Sequence, residues 1–302
     1  MKVFLISNPM SGKRRKPTQD LSIDLTQQLG GMEVVSRVTE SIGHAEILAK
    51  EACEQGFERV IAMGGDGTIH EVLNGIMNSG APDVALGVYP VGTANDYAYT
   101  LIKQPNRGAL FTRKVDIGAV TCSGHRRYFI NVVGAGFPGR VADLARELKR
   151  LPARIRYTLA LIRCMGGAYR TQPIRIDSGT PAEYLMISVA IGMREGSYPL
   201  TPEAVLDDGL FEVLEVGALR RWDVFRYFPR MCRGDIPKND PRIRTLRTPK
   251  LALESNGIIP FHIDGEDPWR KIPQPKGADF RIEFEVLPSA IAVELFGDRR
   301  SN

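Results

Sequence analysis

The sequence is poor in the residues that build metal clusters and disulfide frameworks. Its 302 residues include four cysteines and four histidines, and neither type shows the paired spacing of a zinc site. The cysteines are too scattered for a disulfide framework, which favours a reducing cytoplasm. Long apolar runs are also missing, since no stretch approaches the roughly 20 apolar residues of a membrane-spanning helix. We expect any contact with a bilayer to be made from its surface.

The charge balance is mildly basic. Lys and Arg number 40 against 35 Asp and Glu, which gives a net charge of +5. This balance suits an anionic partner, such as a nucleotide phosphate or a membrane surface, but it is too small to predict nucleic-acid binding. The first residues carry one charge and a short apolar run, a pattern typical of a strand rather than of a signal peptide.

The first hundred residues alternate between strand and helix patterns. This rhythm predicts a parallel sheet covered by helices on both sides. The predicted strands are residues 2–7, 32–38, 59–63 and 84–88, and the predicted helices are 43–55 and 68–77. From about residue 115 short β-like runs separated by Gly, Pro and Asp predict an antiparallel sandwich. Two basic helical stretches, about 140–163 and 219–233, interrupt these runs.

Three polar, glycine-containing turns follow strands of the predicted parallel sheet: residues 8–13, 64–68 and 92–96. Ligands of such sheets bind at the carboxyl ends of the strands. The first turn offers amide N–H groups, a hydroxyl and an ammonium to a phosphate, although a plain turn explains it equally well.

The second and third turns carry more chemistry. In the second, consecutive glycines let the main chain approach a triphosphate, Asp66 brings a carboxylate that can face a metal, and Thr68 would start a helix. The third joins an amide, a hydroxyl and the carboxylate of Asp96, which suits a magnesium ligand or a residue that orients one. The alternative is that these polar residues only cap helices.

Taken together, the turns resemble the diacylglycerol kinase catalytic domain family, which also contains sphingosine and ceramide kinases and bacterial lipid kinases. The matching strings are residues 8–13, 64–75 (GGDGTIHEVLNG), 90–97 (PVGTANDY), 116–118 with 128–131, 206–210 (LDDGL) and 264–266 (DGE). The likeness runs in order along nearly the whole chain. It departs from the family at His70, where the family usually carries Asn.

The resemblance implies a fold of two domains. Residues 1–118 would form a phosphofructokinase-like α/β domain that binds ATP, with the return of about residues 290–302 to it left open. Residues 119–290 would form an antiparallel β-sandwich that binds the lipid. The implied reaction is transfer of the γ-phosphoryl group of ATP to a hydroxyl of diacylglycerol or a related lipid.

The resemblance also implies the residues of the site. Magnesium would be held by the carboxylate of Asp208 and the carbonyls of Val205 and Leu210. Asp264 and Glu266 would handle the proton of the substrate hydroxyl, with Glu266 as the marginal choice for the base, and Asp96 would assist catalysis. Because residues two apart on an extended chain point the same way, both carboxylates of this motif could share one site. The implied nucleotide contacts are Asn8, Pro9, Ser11, Gly12, Lys13, Thr39, Gly64, Gly65, Asp66, Gly67, Thr68, Glu71, Thr93 and Asn95.

Several alternatives remain open at this stage. An NAD or sugar kinase shares GGDG, a non-catalytic nucleotide- or lipid-binding regulator could keep the fold, and a membrane-surface scaffold would explain the basic helices. The expected partners are a lipid at a membrane surface and no nucleic acid, with a homodimer left open. The arginines and aromatics of residues 219–233 suit an interfacial helix, although an ordinary helix packed on a sheet is slightly favoured.

Overall fold

The computed structural model divides the chain into two units, Met1–Ile117 with Pro288–Asn302 and Gly118–Leu287. The structure describes residues 2–11, 29, 32–81, 83–104, 112–148, 151, 153–274 and 279–297. The strands of the first unit are mainly parallel, and those of the second are mainly antiparallel.

The first unit contains a parallel sheet in the order β2-β1-β3-β4, with the end of the last strand of the chain, β14, beside β4. Apolar residues along β1 and β3 are buried throughout, as expected for strands covered on both faces. The strands are β1 (Lys2–Ser7), β2 (Glu33–Val38), β3 (Arg59–Gly64), β4 (Ala85–Pro90) and β14 (Phe280–Leu295). The helices are α1 (His44–Glu54), α2 (Asp66–Ser79) and α3 (Asp96–Lys103).

Antiparallel strands dominate the second unit. One sheet has the order β11-β10-β9-β7-β13, and β8 pairs with both β9 and β12, which in turn pairs with β14. The hairpin of β5 (Thr112–Cys122) and β6 (His125–Phe129) completes the set. The other strands are β7 (Val132–Gly136), β8 (Gln172–Ile176), β9 (Ala182–Ala190), β10 (Phe211–Gly217), β11 (Ile243–Thr248), β12 (Lys250–Ser255) and β13 (Phe261–Ile263).

Three helices of the second unit pack on the sheet β11-β10-β9-β7-β13. They are α4 (Phe137–Glu147), α5 (Ala153–Arg163) and α6 (Arg221–Met231). Their inner side chains join Leu185, Met186, Leu214 and Val216 of β9 and β10 in one apolar cluster. Among the described residues, no helix is long and apolar enough to cross a membrane.

The fold agrees with the predicted α/β unit and antiparallel β unit, but several element boundaries were wrong. The stretch 140–163 forms two helices, because Leu151 precedes a proline and a residue in that place disfavours the helical conformation. Helix α6 ends at Met231, two residues before the predicted limit of about 233. The helix α3 was not predicted at all.

Candidate functional site

The register of the parallel sheet brings three strand ends together. Ser7, the last residue of β1, pairs with Met63 of β3, and Gly64 of β3 pairs with Pro90, the last residue of β4. The three predicted turns follow these strands, so all three begin at the same edge of the sheet. This is the edge at which parallel α/β sheets bind their ligands.

Side chains of the first turn reach the second. The Asn8 side chain accepts a hydrogen bond from the Met10 N–H (2.9 Å) and donates one to Thr68 Oγ1 (3.0 Å). The Ser11 hydroxyl accepts a hydrogen bond from the Gly65 N–H at 3.3 Å. The first and second turns therefore form one connected loop system.

Glycines allow the second and third turns to touch. A Cβ atom on Gly92 would lie 2.5 Å from Gly65 Cα and 2.7 Å from Asn95 Oδ1, closer than real side chains come. A Cβ atom on Gly64 would lie 2.3 Å from Thr68 Oγ1. The glycines are thus required by loop packing, and their lack of side chains leaves the backbone open to a ligand.

The helix after the second turn begins earlier than predicted. Its N-cap is Gly65 and its first helical residue is Asp66, two residues before Thr68, where the helix was predicted to start. The Asp66 carboxylate accepts a hydrogen bond from the Tyr97 N–H (3.1 Å) in the first turn of α3. Asp96, 5% exposed, is the first residue of α3. Both carboxylates therefore stand at helix N-termini, where negative charge is favoured.

Glu71 contacts the start of another helix. One of its carboxylate oxygens accepts a hydrogen bond from the Gly43 N–H at 2.8 Å, and the other accepts one from the Ala45 N–H at 3.1 Å. This side chain on α2 therefore caps α1 and fixes the two helices to each other. Its observed contacts are those of a residue that orients the loops.

The remaining predicted nucleotide residues lie around these loops, where described. Thr39 is buried and donates its N–H to Ser7 O at 2.9 Å. Thr93 is exposed in the third turn. Pro9 lies in the first turn and Gly67 in the first turn of α2. Gly12 and Lys13 lie outside the described residues.

In the second unit, the Asp-Gly-Glu motif forms a tight turn. Ile263 and Glu266 exchange two backbone hydrogen bonds, of 2.9 and 3.1 Å, across it. Asp264 and Gly265 have φ angles of 50° and 82°. The interpretation that Asp264 and Glu266 alternate on an extended strand is therefore wrong, because the chain reverses direction between them.

The two carboxylates of this turn have different surroundings. Asp264 is 8% exposed, and its side chain accepts hydrogen bonds from the N–H groups of Ile130 (3.1 Å), Asn131 (3.0 Å) and Val132 (2.9 Å). Within the described part of the chain, no hydrogen bond or ion pair engages the Glu266 side chain. Asp264 thus fixes the turn to the start of β7, whereas Glu266 has no such role among the described residues.

The loop predicted to hold magnesium contains one carboxylate that already has partners. Asp208 accepts a hydrogen bond from the Leu210 N–H at 3.0 Å and forms a close ion pair with Arg247. Gly209, with φ of 73°, makes the turn between Asp208 and Leu210. An oxygen-only loop of this kind fits a hard cation, but Arg247 competes for the same carboxylate. Among the described residues, no group of three or more His, Cys, Asp or Glu side chains is placed to hold a metal.

Sequence reasoning missed a further acid beside this loop. Glu212 is 3% exposed and lies 3.7 Å from Arg247 across the β10–β11 pair. Burial, and secondarily the nearby charge of Glu203, raise the pKa of Glu212. Because strand alternation alone gives no sign that an acid faces inward here, only the structure reveals it.

Comparisons with known proteins agree with this two-part arrangement. The model of the diacylglycerol kinase catalytic domain matches residues 2–119, and that of the YegS C-terminal NAD kinase beta sandwich-like domain matches residues 131–295. The "Probable lipid kinase YegS-like" protein of Chromohalobacter salexigens is 34% identical over 254 residues, which cover 78% of each chain. A diacylglycerol kinase of Staphylococcus epidermidis is 30% identical over 277 residues, which cover 87% of this chain and 84% of that one.

Solved structures give the same fold. The crystal structure of a diacylglycerol kinase from Bacillus anthracis matches with a TM-score of 0.68 and 19% sequence identity. The match covers 97% of this chain and 96% of that one.

Proposed function

Because this chain belongs to the diacylglycerol kinase family, with a YegS-type C-terminal β-sandwich, we propose that it transfers the γ-phosphoryl group of ATP to a lipid hydroxyl. The family makes the chain a lipid kinase, an enzyme that uses a nucleotide. ATP as the nucleotide, magnesium as its metal, the site residues and the membrane surface are the proposed parts.

The observation that carries the proposal is the contact among the three loops at one sheet edge. Their glycine-containing backbone and the N-termini of two helices suit a triphosphate, since amide N–H groups and helix dipoles both favour anions. We assign the ATP phosphates to the loops that contain Asn8, Gly65 and Thr93, and we keep Lys13, which lies outside the described residues, as a proposed phosphate ligand. The first unit is then the ATP-binding domain and the second the lipid-binding domain.

Catalysis of phosphoryl transfer depends mainly on positioning and charge neutralisation. Magnesium enters with ATP as part of the substrate and neutralises its phosphates. We assign Asp66 and Asp96 to that metal, directly or through water. Asp66 also has a structural task, since its carboxylate accepts the Tyr97 N–H at 3.1 Å.

We assign the base to Glu266. A lipid alcohol is a poor nucleophile near neutral pH, so a carboxylate that accepts its proton should help. Asp264 already accepts three amide hydrogen bonds, while the Glu266 carboxylate has no such partner in the described part of the chain. Asp264 therefore suits the task of holding the turn that carries the base.

Lipid phosphorylation by the purified protein tests both the function and the base. With labelled ATP, magnesium and a mixed lipid extract, the wild type should yield a labelled lipid. Glu266→Gln should lower turnover about a hundredfold or more, within the range that general-base assistance provides, and should leave nucleotide affinity unchanged.

The control for this experiment is Glu183→Gln, which changes an exposed carboxylate on β9 of the same unit and should keep full activity. Labelling of NAD or a sugar in place of lipid would refute the proposed substrate class. Full activity of Glu266→Gln, with loss in Asp264→Asn, would reverse the assigned roles.

Gly92→Ala should weaken nucleotide binding by separating the second and third loops. The new Cβ would lie 2.5 Å from Gly65 Cα, so one loop must shift, and the affinity for ATP should fall about tenfold or more, which is ~1.4 kcal/mol. Calorimetry on the folded variant measures this change. Gly257→Ala is the control, because no atom lies within 4 Å of its Cβ position. Equal ATP affinity in both variants would remove the loop contact from the site.

A magnesium ion at Asp208 would have to displace Arg247, and we propose that it does. Saturating magnesium should raise the melting temperature of the wild type, since a ligand at about 100 times its Kd adds ~2.7 kcal/mol of stability. Asp208→Ala should lose this rise, whereas Arg247→Met should reach it at lower magnesium concentration because the competing cation is gone. Equal magnesium responses in all three proteins would contradict a metal at this loop.

The second unit has an outer helical face suited to a membrane surface. It consists of Ile155 and Ile162 on α5, and of Trp222, Phe225 and Arg226 on α6. The two aromatic side chains are 82% and 54% exposed, and the two isoleucines 50% and 56%. Their spacing of three, four and seven residues places them on one side of each helix.

The opposite sides of both helices face the protein interior. Leu161 of α5 and Val224 of α6 pack on the same apolar cluster. Tyr198 contacts both helices, through a hydrogen bond to Thr158 (3.0 Å) and a ring contact with Phe228 (5.4 Å). The exposed aromatics and arginine therefore point away from the core, as in helices that lie in a membrane interface.

Flotation with anionic liposomes tests this face. The wild type should float at low salt and be released at high salt, because surface charge attraction is screened. The double variant Trp222→Ala, Phe225→Ala should bind about tenfold more weakly or worse, since each aromatic contributes roughly 1.5–3 kcal/mol when buried. Ile258→Ala, at a separate exposed apolar residue, is the control. Equal flotation of all three proteins would mean that another surface meets the lipid.

A further inference from the structure

A buried chain of three polar side chains lies behind the Asp-Gly-Glu turn. Ser188 on β9 donates its hydroxyl to Glu195 Oε2 at 2.7 Å, and Glu195 Oε1 lies 2.8 Å from Nε2 of His262 on β13. The three residues are 0%, 8% and 4% exposed. A buried carboxylate is costly unless it is hydrogen-bonded, and each oxygen of Glu195 has one polar partner here.

Strand β7, which lies between β9 and β13, makes room for this chain. Gly134 on β7 pairs with Ser188 on one side and with His262 on the other. A Cβ atom at Gly134 would lie 2.3 Å from Glu195 Oε1 and 2.6 Å from His262 Nε2. The Glu195 carboxylate therefore lies over a strand position that only glycine can occupy.

Hydrogen bonds fix which nitrogen of His262 carries the proton. The Gly265 N–H points at His262 Nδ1 at 3.1 Å. A backbone amide can only donate, so Nδ1 is the acceptor and the ring proton is on Nε2. That proton is donated to Glu195, whose other oxygen accepts the Ser188 hydroxyl.

This arrangement accounts for every amide of the turn. The Ile263 and Glu266 amides bond to each other's carbonyls, and the Asp264 amide donates to Val132 O at 2.8 Å. Only the Gly265 amide depends on a side chain, that of His262. Rotation of the peptide between Asp264 and Gly265 would change ψ of Asp264 and φ of Gly265, and glycine tolerates the change on its own side. His262 is thus the contact that opposes this rotation.

We propose that His262, oriented by Glu195, is a positioning residue that holds the Asp264–Gly265 peptide and thereby aims the Glu266 carboxylate. This inference rests on the proposed function, since it takes Glu266 as the base. Glu195 fixes the imidazole with Nδ1 facing the turn, and Ser188 fixes Glu195. A small displacement of a catalytic group can cost about a hundredfold in rate, so a contact with one amide can matter for turnover.

Two substitutions of His262 separate positioning from stability. Asn places an acceptor near the position of Nδ1 and keeps the Gly265 hydrogen bond, but it loses the contact with Glu195. Gln places a donor near the position of Nε2 and keeps the contact with Glu195, but it loses that with Gly265. His262→Gln should therefore be the more stable variant and His262→Asn the more active one.

The expected values follow from the contact retained. His262→Gln should lower kcat about tenfold or more at unchanged KM for ATP, and His262→Asn should keep at least about a third of the wild-type kcat. In a Glu266→Gln background, His262→Gln should change the residual rate by less than about threefold, because both act through one group. A kcat that follows melting temperature across both variants would overturn the proposal.

Nuclear magnetic resonance of the wild type tests the same contact without any substitution. The ¹⁵N shifts of His262 should show the proton on Nε2, and a coupling across the hydrogen bond should join Gly265 N and His262 Nδ1. A proton on Nδ1 would overturn the proposal even if both variants fail to fold. A wild type that shows these signals but labels no lipid would instead refute the proposed function.

Discussion

Two backbone hydrogen bonds at neighbouring strand ends, from Asn8 N–H to Met63 O and from Val91 N–H to Gly64 O, hold the three loops at one level of the sheet. Each measures 3.0 Å and continues the pairing of the strands by one residue. Because the three loops begin at the same edge of the sheet, a few hydrogen bonds and one glycine contact are enough to join them. The close approach of Gly65 and Gly92 depends on this alignment of the strand ends.

The sequence predicted the features that depend on patterns of neighbouring residues along the chain. Strand and helix rhythm in the first hundred residues predicted the parallel sheet, and the polar turns after its strands were found without the structure. Sequence patterns did not predict contacts between residues that lie far apart in the chain. Alternation along the chain suggested that Asp264 and Glu266 point the same way, but Asp264 bonds to amides more than 130 residues earlier and the chain turns between them. No local pattern marks Glu195 as a partner of His262, 67 residues away.

Asp264 and Glu266 are both carboxylates and lie two residues apart, and only their hydrogen bonds distinguish them. Both belong to one Asp-Gly-Glu motif, and charge alone would make either one a proton acceptor. Three amide donors surround Asp264, so moving it would leave buried N–H groups without partners, which costs roughly 1–3 kcal/mol each. Within the described part of the chain, no amide donates a hydrogen bond to the Glu266 side chain. Asp264 therefore holds the turn, and Glu266 is the carboxylate that we propose as the base.

The sites in the two units are held by different means, and this difference governs which substitutions each tolerates. The loops of the first unit depend on the absence of side chains at Gly64 and Gly92, where any added Cβ meets a neighbour below 3 Å. The turn in the second unit depends instead on side chains that satisfy backbone amides, from Asp264 and His262. A glycine site admits no conservative replacement, because every other residue adds the same atom. A side-chain site does admit one, provided that the new group presents an acceptor at the same place.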